Sequence, residues 1–237
     1  MLKLGVLISF LVLTVSSALA NSIGDVIKQE GNAVIERQEG DVVKSEKDTD
    51  VFSMDTVLTQ QGATAIEFVD ETRVDVTPHS KLIIDDFVYD PNTKTGALSL
   101  KASLGTVRYA SGQIAKNSRQ NVTIKTPTAV IGVRGTDFTM TVDETGNTMV
   151  ILLPSCTING VCVVGEISVE SDVGIVILNK AFQVTSVNTR ASAPLKPLLL
   201  DPTNLIINNL LIIRKPVYDN EQQEYERVRK LGDFLGV

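Results

Sequence analysis

The sequence predicts an all-β protein, either a β-solenoid-like coil or a two-sheet sandwich of short strands, with a C-terminal α-helical tail. Residues 25–187 are rich in Val, Ile and Thr, which pack well on a pleated sheet, and the chain contains no Trp. Gly, Asn and Asp interrupt these runs at intervals of about 8 to 12 residues, a spacing typical of turns between short strands. The chain is therefore predicted to fold back on itself many times.

Alternating apolar runs between the turns identify the individual strands, since side chains on a strand face opposite sides in turn. The predicted strands are residues 25–29, 33–37, 65–68, 73–76, 81–87, 97–102, 105–109, 121–125, 129–133, 137–142, 149–153, 157–158, 162–164, 167–171, 174–178 and 181–187.

The first twenty residues have the layout of a secretory signal peptide. Lys3 precedes an apolar run over residues 4–15, and Ala18 and Ala20 form an A-x-A cleavage pattern. A membrane anchor is the alternative, but the run is shorter than the roughly 18 residues that a spanning helix needs. We therefore expect cleavage after Ala20 and an exported protein, either periplasmic or secreted.

Length and charge limit the remaining function classes. Removal of residues 1–20 leaves 217 of the 237 residues, enough for one all-β domain with a tail or for two small domains. The formal net charge is −6, and loss of Lys3 would make it −7. Because an acidic surface repels phosphate backbones, nucleic acid is not expected as a partner.

Cys156 and Cys162 are six positions apart, with Asn159-Gly160 offering a tight turn between them. In an oxidising compartment we expect these two residues to form a local disulfide across a hairpin. A redox pair and a metal site are the alternatives; the first usually has C-x-x-C spacing, and the second would need further Cys or His ligands.

The C-terminal part differs in composition from the β domain. Prolines and small residues over 188–197 place the predicted boundary of a 21–190 β domain, followed by a 191–237 tail. Within the tail, residues 205–213 form an apolar helix or strand that packs on the β domain or meets a partner or membrane surface. Residues 220–235 are predicted to form an amphipathic helix, which packs on its own domain or mediates self-association.

Residues 124–138 read Ile-Lys-Thr-Pro-Thr-Ala-Val-Ile-Gly-Val-Arg-Gly-Thr-Asp-Phe, which resembles the signature at the end of the FecR domain. Residues 62–72, 77–82 and 98–107 resemble earlier segments of that family, so the similarity covers about residues 33–142. The resemblance implies an all-β extracytoplasmic module. Glu71 stands where the family often has Gly, so that turn is expected to be built differently.

The best-known FecR proteins regulate a sigma factor from the inner membrane through a cytoplasmic segment and one membrane helix. Here the FecR-like region follows the predicted signal peptide almost directly, so this activity is not carried over.

The signature itself is expected to be structural. Pro127 suits a strand edge, while Gly132 and Gly135 permit close backbone approach or positive φ. Arg134 is expected to form an ion pair with Asp137 or Glu67, with ligand binding as the alternative. The remaining signature residues assigned a structural role are Thr126, Thr136 and Phe138.

Residues with catalytic or metal-binding chemistry are few. His79 is the only histidine and lies in a turn-like Pro-His-Ser setting, so we expect a solvated loop residue instead of a general base. Oxygen ligands for calcium occur around residues 85–92, at Asp85, Asp86, Asp90 and Asn92, but not in EF-hand order. No catalytic, cofactor or metal site is therefore predicted.

These observations favour a non-catalytic module that binds a protein or a cell-envelope polymer, without a transmembrane span after signal cleavage. An extracytoplasmic signalling accessory is the second hypothesis, and an enzyme acting on the cell wall is the third.

Overall fold

The computed structural model describes residues 21–118, 120–156 and 160–201 of the chain. These residues form nineteen strands and one short helix. The first nine strands are β1 (Gly24–Glu30), β2 (Ala33–Glu36), β3 (Val42–Lys44), β4 (Asp50–Val51), β5 (Thr56–Thr59), β6 (Ala63–Phe68), β7 (Arg73–Val76), β8 (Lys81–Asp90) and β9 (Thr95–Ala110). The later elements are α1 (Gln113–Asn117), β10 (Val122–Lys125), β11 (Val130–Arg134), β12 (Asp137–Val142), β13 (Thr148–Leu153), β14 (Ser155–Cys156), β15 (Cys162–Val163), β16 (Glu166–Ser171), β17 (Gly174–Leu178), β18 (Gln183–Val187) and β19 (Leu198–Leu199).

Seventeen of the nineteen strands pair into two sheets that share β9, and β14 and β15 pair with each other. Sheet A runs in the order β4-β1-β6-β7-β9-β12-β13-β18-β19. Sheet B runs in the order β3-β2-β5-β8-β9-β10-β11-β16-β17. Every pair is antiparallel except β9 with β10. A solenoid would stack its strands in parallel, so this pairing favours the two-sheet alternative.

Strand β9 passes from sheet B to sheet A at Gly105. Its first part pairs with β8 and β10, and its second part pairs with β7 and β12. Gly105 has φ +85°, and a Cβ added there would lie 2.0 Å from the Ser80 hydroxyl oxygen, so only glycine fits this crossing. The two strands predicted over 97–102 and 105–109 are therefore one continuous strand.

The core lies between the sheets, where alternate residues of both sheets meet in one buried apolar cluster. Phe68 of sheet A stacks on Phe87 of sheet B with 5.5 Å between ring centroids, and Tyr109 lies 5.3 Å from Phe138. Each fully buried Val, Leu, Ile or Phe side chain contributes roughly 1.5 to 3 kcal/mol by its removal from water. This burial is the main source of stability for the sandwich.

The all-β prediction is confirmed, with five short strands (β3, β4, β5, β14 and β19) and one helix missed. Strands β3, β4 and β5 are only two to four residues long, and β3 and β4 contain charged or exposed residues that hide the alternation. Helix α1 is a single five-residue turn. The predicted signal peptide, the 205–213 segment, the 220–235 helix and the 157–158 strand all lie outside the described residues.

The chain remains attached to sheet A beyond residue 190. The Leu195 N–H donates to the Ser186 carbonyl at 2.9 Å, and the Leu200 N–H donates to the Phe182 carbonyl at 3.0 Å. Leu200 thereby joins a small apolar cluster on the outer face of β13 and β18. Within the described ranges, no helix combines the length and apolar character that a membrane crossing requires.

Candidate functional site

The Thr-Pro-Thr part of the signature is a turn between β10 and β11, fixed by a buried cluster of hydroxyl groups. Thr126 Oγ1 accepts the Ala129 N–H at 2.9 Å and the Thr148 hydroxyl at 2.7 Å. The Thr128 hydroxyl is buried 2.8 Å from the Thr148 oxygen, 2.9 Å from the Gly146 carbonyl and 3.1 Å from the Val187 carbonyl. We call Thr126, Thr128 and Thr148 the threonine cluster; it joins this turn to β13 and β18.

Pro127 is exposed beside an open cleft of about 500 Å³. The residues that line the cleft include the apolar Leu104 and Pro127 and the charged Lys81, Asp143 and Glu144. Hydrogen bonds, above all the one from the Thr145 hydroxyl, lower the pKa of Asp143. The Asp143 carboxylate thus accepts hydrogen bonds within its own turn, which leaves it fewer free acceptor sites for a ligand in the cleft.

The Arg-Gly-Thr-Asp-Phe part forms the turn between β11 and β12. Gly135 has φ +58°, a conformation in which glycine is unstrained. The backbone of Thr136 exchanges two hydrogen bonds with the Ser111 hydroxyl, at 2.7 and 2.8 Å. A Cβ at Gly165 would lie 2.1 Å from the Gly135 carbonyl oxygen, so two backbone segments meet here at the closest possible distance. Phe138 then enters the core.

Arg134 pairs with Glu166, so the prediction that its partner would be Asp137 or Glu67 is wrong. The Arg134 and Glu166 side chains lie opposite each other on β11 and β16, with 3.6 Å between Nη1 and Oε1. Both side chains are more than two-fifths exposed, so this surface pair contributes about 0 to 1 kcal/mol. Asp137 instead pairs with Arg108 at 3.5 Å, and Glu67 pairs with Arg73.

Two other features complete the signature. A Cβ at Gly132 would lie 2.6 Å from the Ser168 hydroxyl oxygen, so the glycine leaves room for its cross-strand neighbour. Burial raises the pKa of Asp137, an effect opposed by hydrogen bonding to Ser155 and by the charge of Arg108. The signature residues thus hold strands and turns together.

Cys156 and Cys162 form a disulfide, as predicted. They lie opposite each other on the two-stranded β14–β15 hairpin, which forms a separate small sheet. Strand β15 of the hairpin is exposed, and its second residue, Val163, presents an apolar side chain to solvent. Along the chain, the bridged hairpin strands lie between β13 and β16.

The remaining chemical candidates are held in separate places. His79 is exposed in a turn with φ +57°, and its backbone N–H donates to the Gln60 carbonyl at 2.8 Å. Asp85 binds Lys101 and, at 3.4 Å, Lys125. These lysines and the Ser99 hydroxyl lower the pKa of Asp85, Lys101 having the largest effect.

The acidic turn at residues 90–93 is closed by its own side chain. Asp90 accepts the Asn92 N–H at 2.9 Å and the Thr93 hydroxyl at 3.0 Å. Within the described residues, no group of three or more His, Cys, Asp or Glu residues is placed to hold a metal ion.

Sequence reasoning missed a buried polar centre around Asp70. Its carboxylate accepts the N–H and hydroxyl of Thr72 at 3.0 and 2.8 Å and the Ile114 N–H at 3.1 Å. Glu71, beside it, has φ +67°, so this turn keeps the positive φ that Gly would adopt. Gly112 fits against the same turn, because a Cβ there would lie 2.2 Å from the Thr72 nitrogen. Only the Asx-turn pattern of Asp70 was visible in the sequence.

A second missed contact joins Arg37 to Asp55. The Asp55 side chain is almost fully buried and also accepts the Phe52 N–H at 2.8 Å. Arg37 stacks 4.8 Å above the Phe52 ring. Burial raises the pKa of Asp55 despite the opposing effects of the Phe52 N–H and Arg37.

Exposed aliphatic side chains concentrate beyond residue 156. Among the described residues, nine of the fourteen exposed large apolar side chains lie within 160–201. We call these nine the extension surface: Val161, Val163, Val164, Val173, Ile175, Ile177, Leu195, Leu198 and Leu199. Such a concentration of apolar surface is typical of an interaction site.

Strand β17 provides the most regular part of the extension surface. It pairs with β16 on one side and, among the described residues, has no strand on its other side. Ile175 is 58% exposed and Ile177 is 43% exposed, while Leu178 is buried. An edge strand of this kind offers backbone N–H and C=O groups together with an aliphatic face.

Comparison with known proteins identifies one family. The FecR protein family model matches residues 55–155, from Asp55 to the strand that carries Cys156. No curated protein matches the chain.

Two solved structures of a candidate anti-sigma factor from Parabacteroides distasonis ATCC 8503, at 2.50 and 1.65 Å resolution, are similar in fold. Their sequence identities are 11% and 12%, and their TM-scores are 0.45 and 0.44. The matches cover 63% and 64% of this chain, which spans about three fifths (61% and 62%) of theirs. The similarity of this chain to the FecR family is thus the match of the family model to residues 55–155.

Proposed function

We propose that this chain is an exported, non-catalytic protein in which the FecR domain is a rigid scaffold and the 156–201 extension binds another protein. The observation that carries the proposal is the concentration of exposed aliphatic side chains in the extension surface. The leader-like residues 1–20 and the Cys156–Cys162 disulfide support export, because disulfides persist in oxidising compartments.

The mode of binding follows from the geometry of β17. A protein segment in extended conformation can add to an open sheet edge, where backbone hydrogen bonds provide affinity and alternate side chains provide specificity. Ile175 and Ile177 lie on the same outer face, so both can pack against apolar side chains of such a segment. Removal of both from water on binding provides the driving force.

A protein fits this surface better than an envelope polymer does. Aliphatic side chains gain free energy only when they pack against other apolar groups, and a hydrated glycan offers few of these. Of the two partner classes expected from the sequence, we therefore propose a protein.

Signalling is the second candidate function, and the FecR family match supports it. On this hypothesis the protein that binds the extension surface would be a membrane or exported component of a signalling system. An enzyme is not proposed, because His79, the one histidine of the sequence, lies exposed in a turn.

Site-specific photocrosslinking tests the proposal. Ile177 is replaced by p-benzoylphenylalanine in the full-length protein in cells, and adducts formed on irradiation are identified by mass spectrometry. Val42, 59% exposed on β3 at the opposite edge of sheet B, is the matched control position. Adducts with a defined protein from position 177 but not from position 42 are expected; equal or absent crosslinking at both positions would refute the proposal.

A further inference from the structure

The exposed β17 strand is self-complementary, and we propose that the protein it binds is a second copy of this chain. In this arrangement, which rests on the proposed function, two β17 strands pair antiparallel about a two-fold axis at Val176. Ile175 of each copy then lies opposite Ile177 of the other, and Gly174 lies opposite Leu178. The two copies of sheet B become one continuous sheet.

The strand sequence is symmetric where the pairing requires it. Ile175-Val176-Ile177 reads the same in both directions, so both copies present an isoleucine to the position opposite an isoleucine. An isologous interface demands that one patch complement itself, which an arbitrary edge strand does not do. Opposed β-branched side chains on one face stabilise a strand pair by roughly 0.2 to 1 kcal/mol per pair.

The charges flanking the strand also match under this symmetry. Asp172 lies in the two-residue turn before β17, Lys180 follows its end, and both are exposed. Antiparallel pairing about Val176 brings Asp172 of each copy to the end of the interface where Lys180 of the other copy lies. Exposed ion pairs add little affinity. Like charges at these positions would repel each other, so the opposite charges of Asp172 and Lys180 favour the antiparallel direction of the two strands.

Asp172 would exchange an exposed contact within its own chain for this one; its backbone N–H also donates to the Arg190 carbonyl at 3.1 Å. Within its own chain it meets Arg190 at 3.8 Å, and both side chains are more than three-fifths exposed. Among the described residues, no ion pair is formed by Lys180. Its backbone N–H donates to the Gln183 side chain at 2.8 Å, which fixes the turn that carries it.

The edge also lacks the features that keep natural sheet edges apart. Proteins protect exposed edges with lysine, proline or a bulge, and β17 contains none of these over its five residues. Strand β3, the opposite edge of sheet B, carries the exposed Lys44. The two edges of one sheet therefore differ: β3 carries a lysine, whereas β17 carries none and is approached at its first residue, where a Cβ at Gly174 would lie 3.0 Å from Ala193 Cβ.

Sedimentation velocity of the purified protein over a wide concentration series tests the dimer. We expect a concentration-dependent monomer–dimer equilibrium, because a five-residue strand pair buries less than the roughly 1,200 Å² typical of stable interfaces. Ile177→Lys should abolish the dimer, while the matched Val42→Lys variant should leave it unchanged. Far-UV circular dichroism confirms that both variants are folded.

Charge exchange tests the register independently of the aliphatic contact. Asp172→Lys alone and Lys180→Asp alone should each weaken the dimer about tenfold, since two weak attractions become two repulsions. The double variant Asp172→Lys/Lys180→Asp should restore it. A mixture of Ile175→Cys and Ile177→Cys proteins should form an interchain disulfide faster than either protein alone.

The outcomes separate this inference from the proposed function. A monomer at all concentrations, or a dimer that survives Ile177→Lys, overturns the two-fold pairing. If photocrosslinking from position 177 then captures a different protein, the pairing is refuted while the docking function stands. If neither a dimer nor another protein is captured there, both are refuted.

Discussion

Replacement of Thr128 by Val should separate the structural role of the FecR signature from a binding role. Valine keeps the volume and β-branched shape of threonine but removes the buried hydroxyl, whose one proton serves the Gly146 carbonyl, the Val187 carbonyl or the Thr148 oxygen. The variant therefore loses one hydrogen bond and leaves a buried acceptor unsatisfied. Such a loss costs roughly 1 to 3 kcal/mol, so we expect the free energy of unfolding to fall by about 2 kcal/mol.

The measurement is urea unfolding followed by far-UV circular dichroism, with a thermal scan alongside. For a domain of about 150 to 250 residues, a loss of about 2 kcal/mol corresponds to a decrease in Tm of about 4 to 8 °C. Thr123→Val on the neighbouring strand is the matched control, since the half-exposed Thr123 hydroxyl has no hydrogen-bond partner among the described residues. It should change the free energy of unfolding by less than about 0.5 kcal/mol. Equal effects of the two variants would show that the threonine cluster does not hold the signature turn.

Three further perturbations follow from the buried charges and the disulfide. Arg37→Ala leaves the buried Asp55 carboxylate without its cation and should lower the free energy of unfolding in urea by about 3 to 5 kcal/mol. The double variant Arg37→Ala/Asp55→Asn should recover part of that loss. No recovery would contradict the pairing. Cys156→Ser/Cys162→Ser should lower the free energy of unfolding by about 2 kcal/mol, because the closed loop is short; a much larger loss would show that the exposed hairpin supports the core. Asp75 lies on β7 opposite Arg108 of β9. Burial raises the pKa of Asp75 above its ordinary value of 3.8 despite the opposing charges of Arg108, Arg73 and Lys28, so the folded state holds the proton more tightly. The stability gained from this tighter proton binding is full below the unfolded pKa and is lost as pH rises through the folded pKa. The difference in unfolding free energy between the wild-type protein and Asp75→Asn should therefore fall from roughly pH 3 to 7. A difference that rises with pH would refute the assignment.

The signature illustrates how far sequence reasoning reached. Pro127 was expected at a strand edge and lies in the turn before β11, while Gly135, expected to permit close backbone approach or positive φ, has φ +58° in the turn after β11. The partner of Arg134 could not be predicted, because Glu166 lies on a strand that pairs with β11 only after the intervening β12–β15 segment has left the sheet. Ion pairs across strands depend on register, which neither residue type nor spacing reveals.

Strand β9 shows the same limit for the fold. Its alternation was visible, but Gly105 was interpreted as a break between two strands, whereas the chain continues from one sheet into the other. The difference lies in what surrounds the glycine. The Ser80 side chain occupies the space that a Cβ would need, and this neighbour belongs to a different part of the chain.

The order of residues along the chain was sufficient to predict the all-β class and the disulfide between Cys156 and Cys162, because alternation, turn propensity and a six-residue separation are local properties. Which strands became neighbours, and therefore which edge stayed open at β17, was decided by tertiary structure. Backbone hydrogen bonds are chemically the same between any two strands. Pairing is selected by how all the apolar faces are buried together, and that choice involves the whole chain.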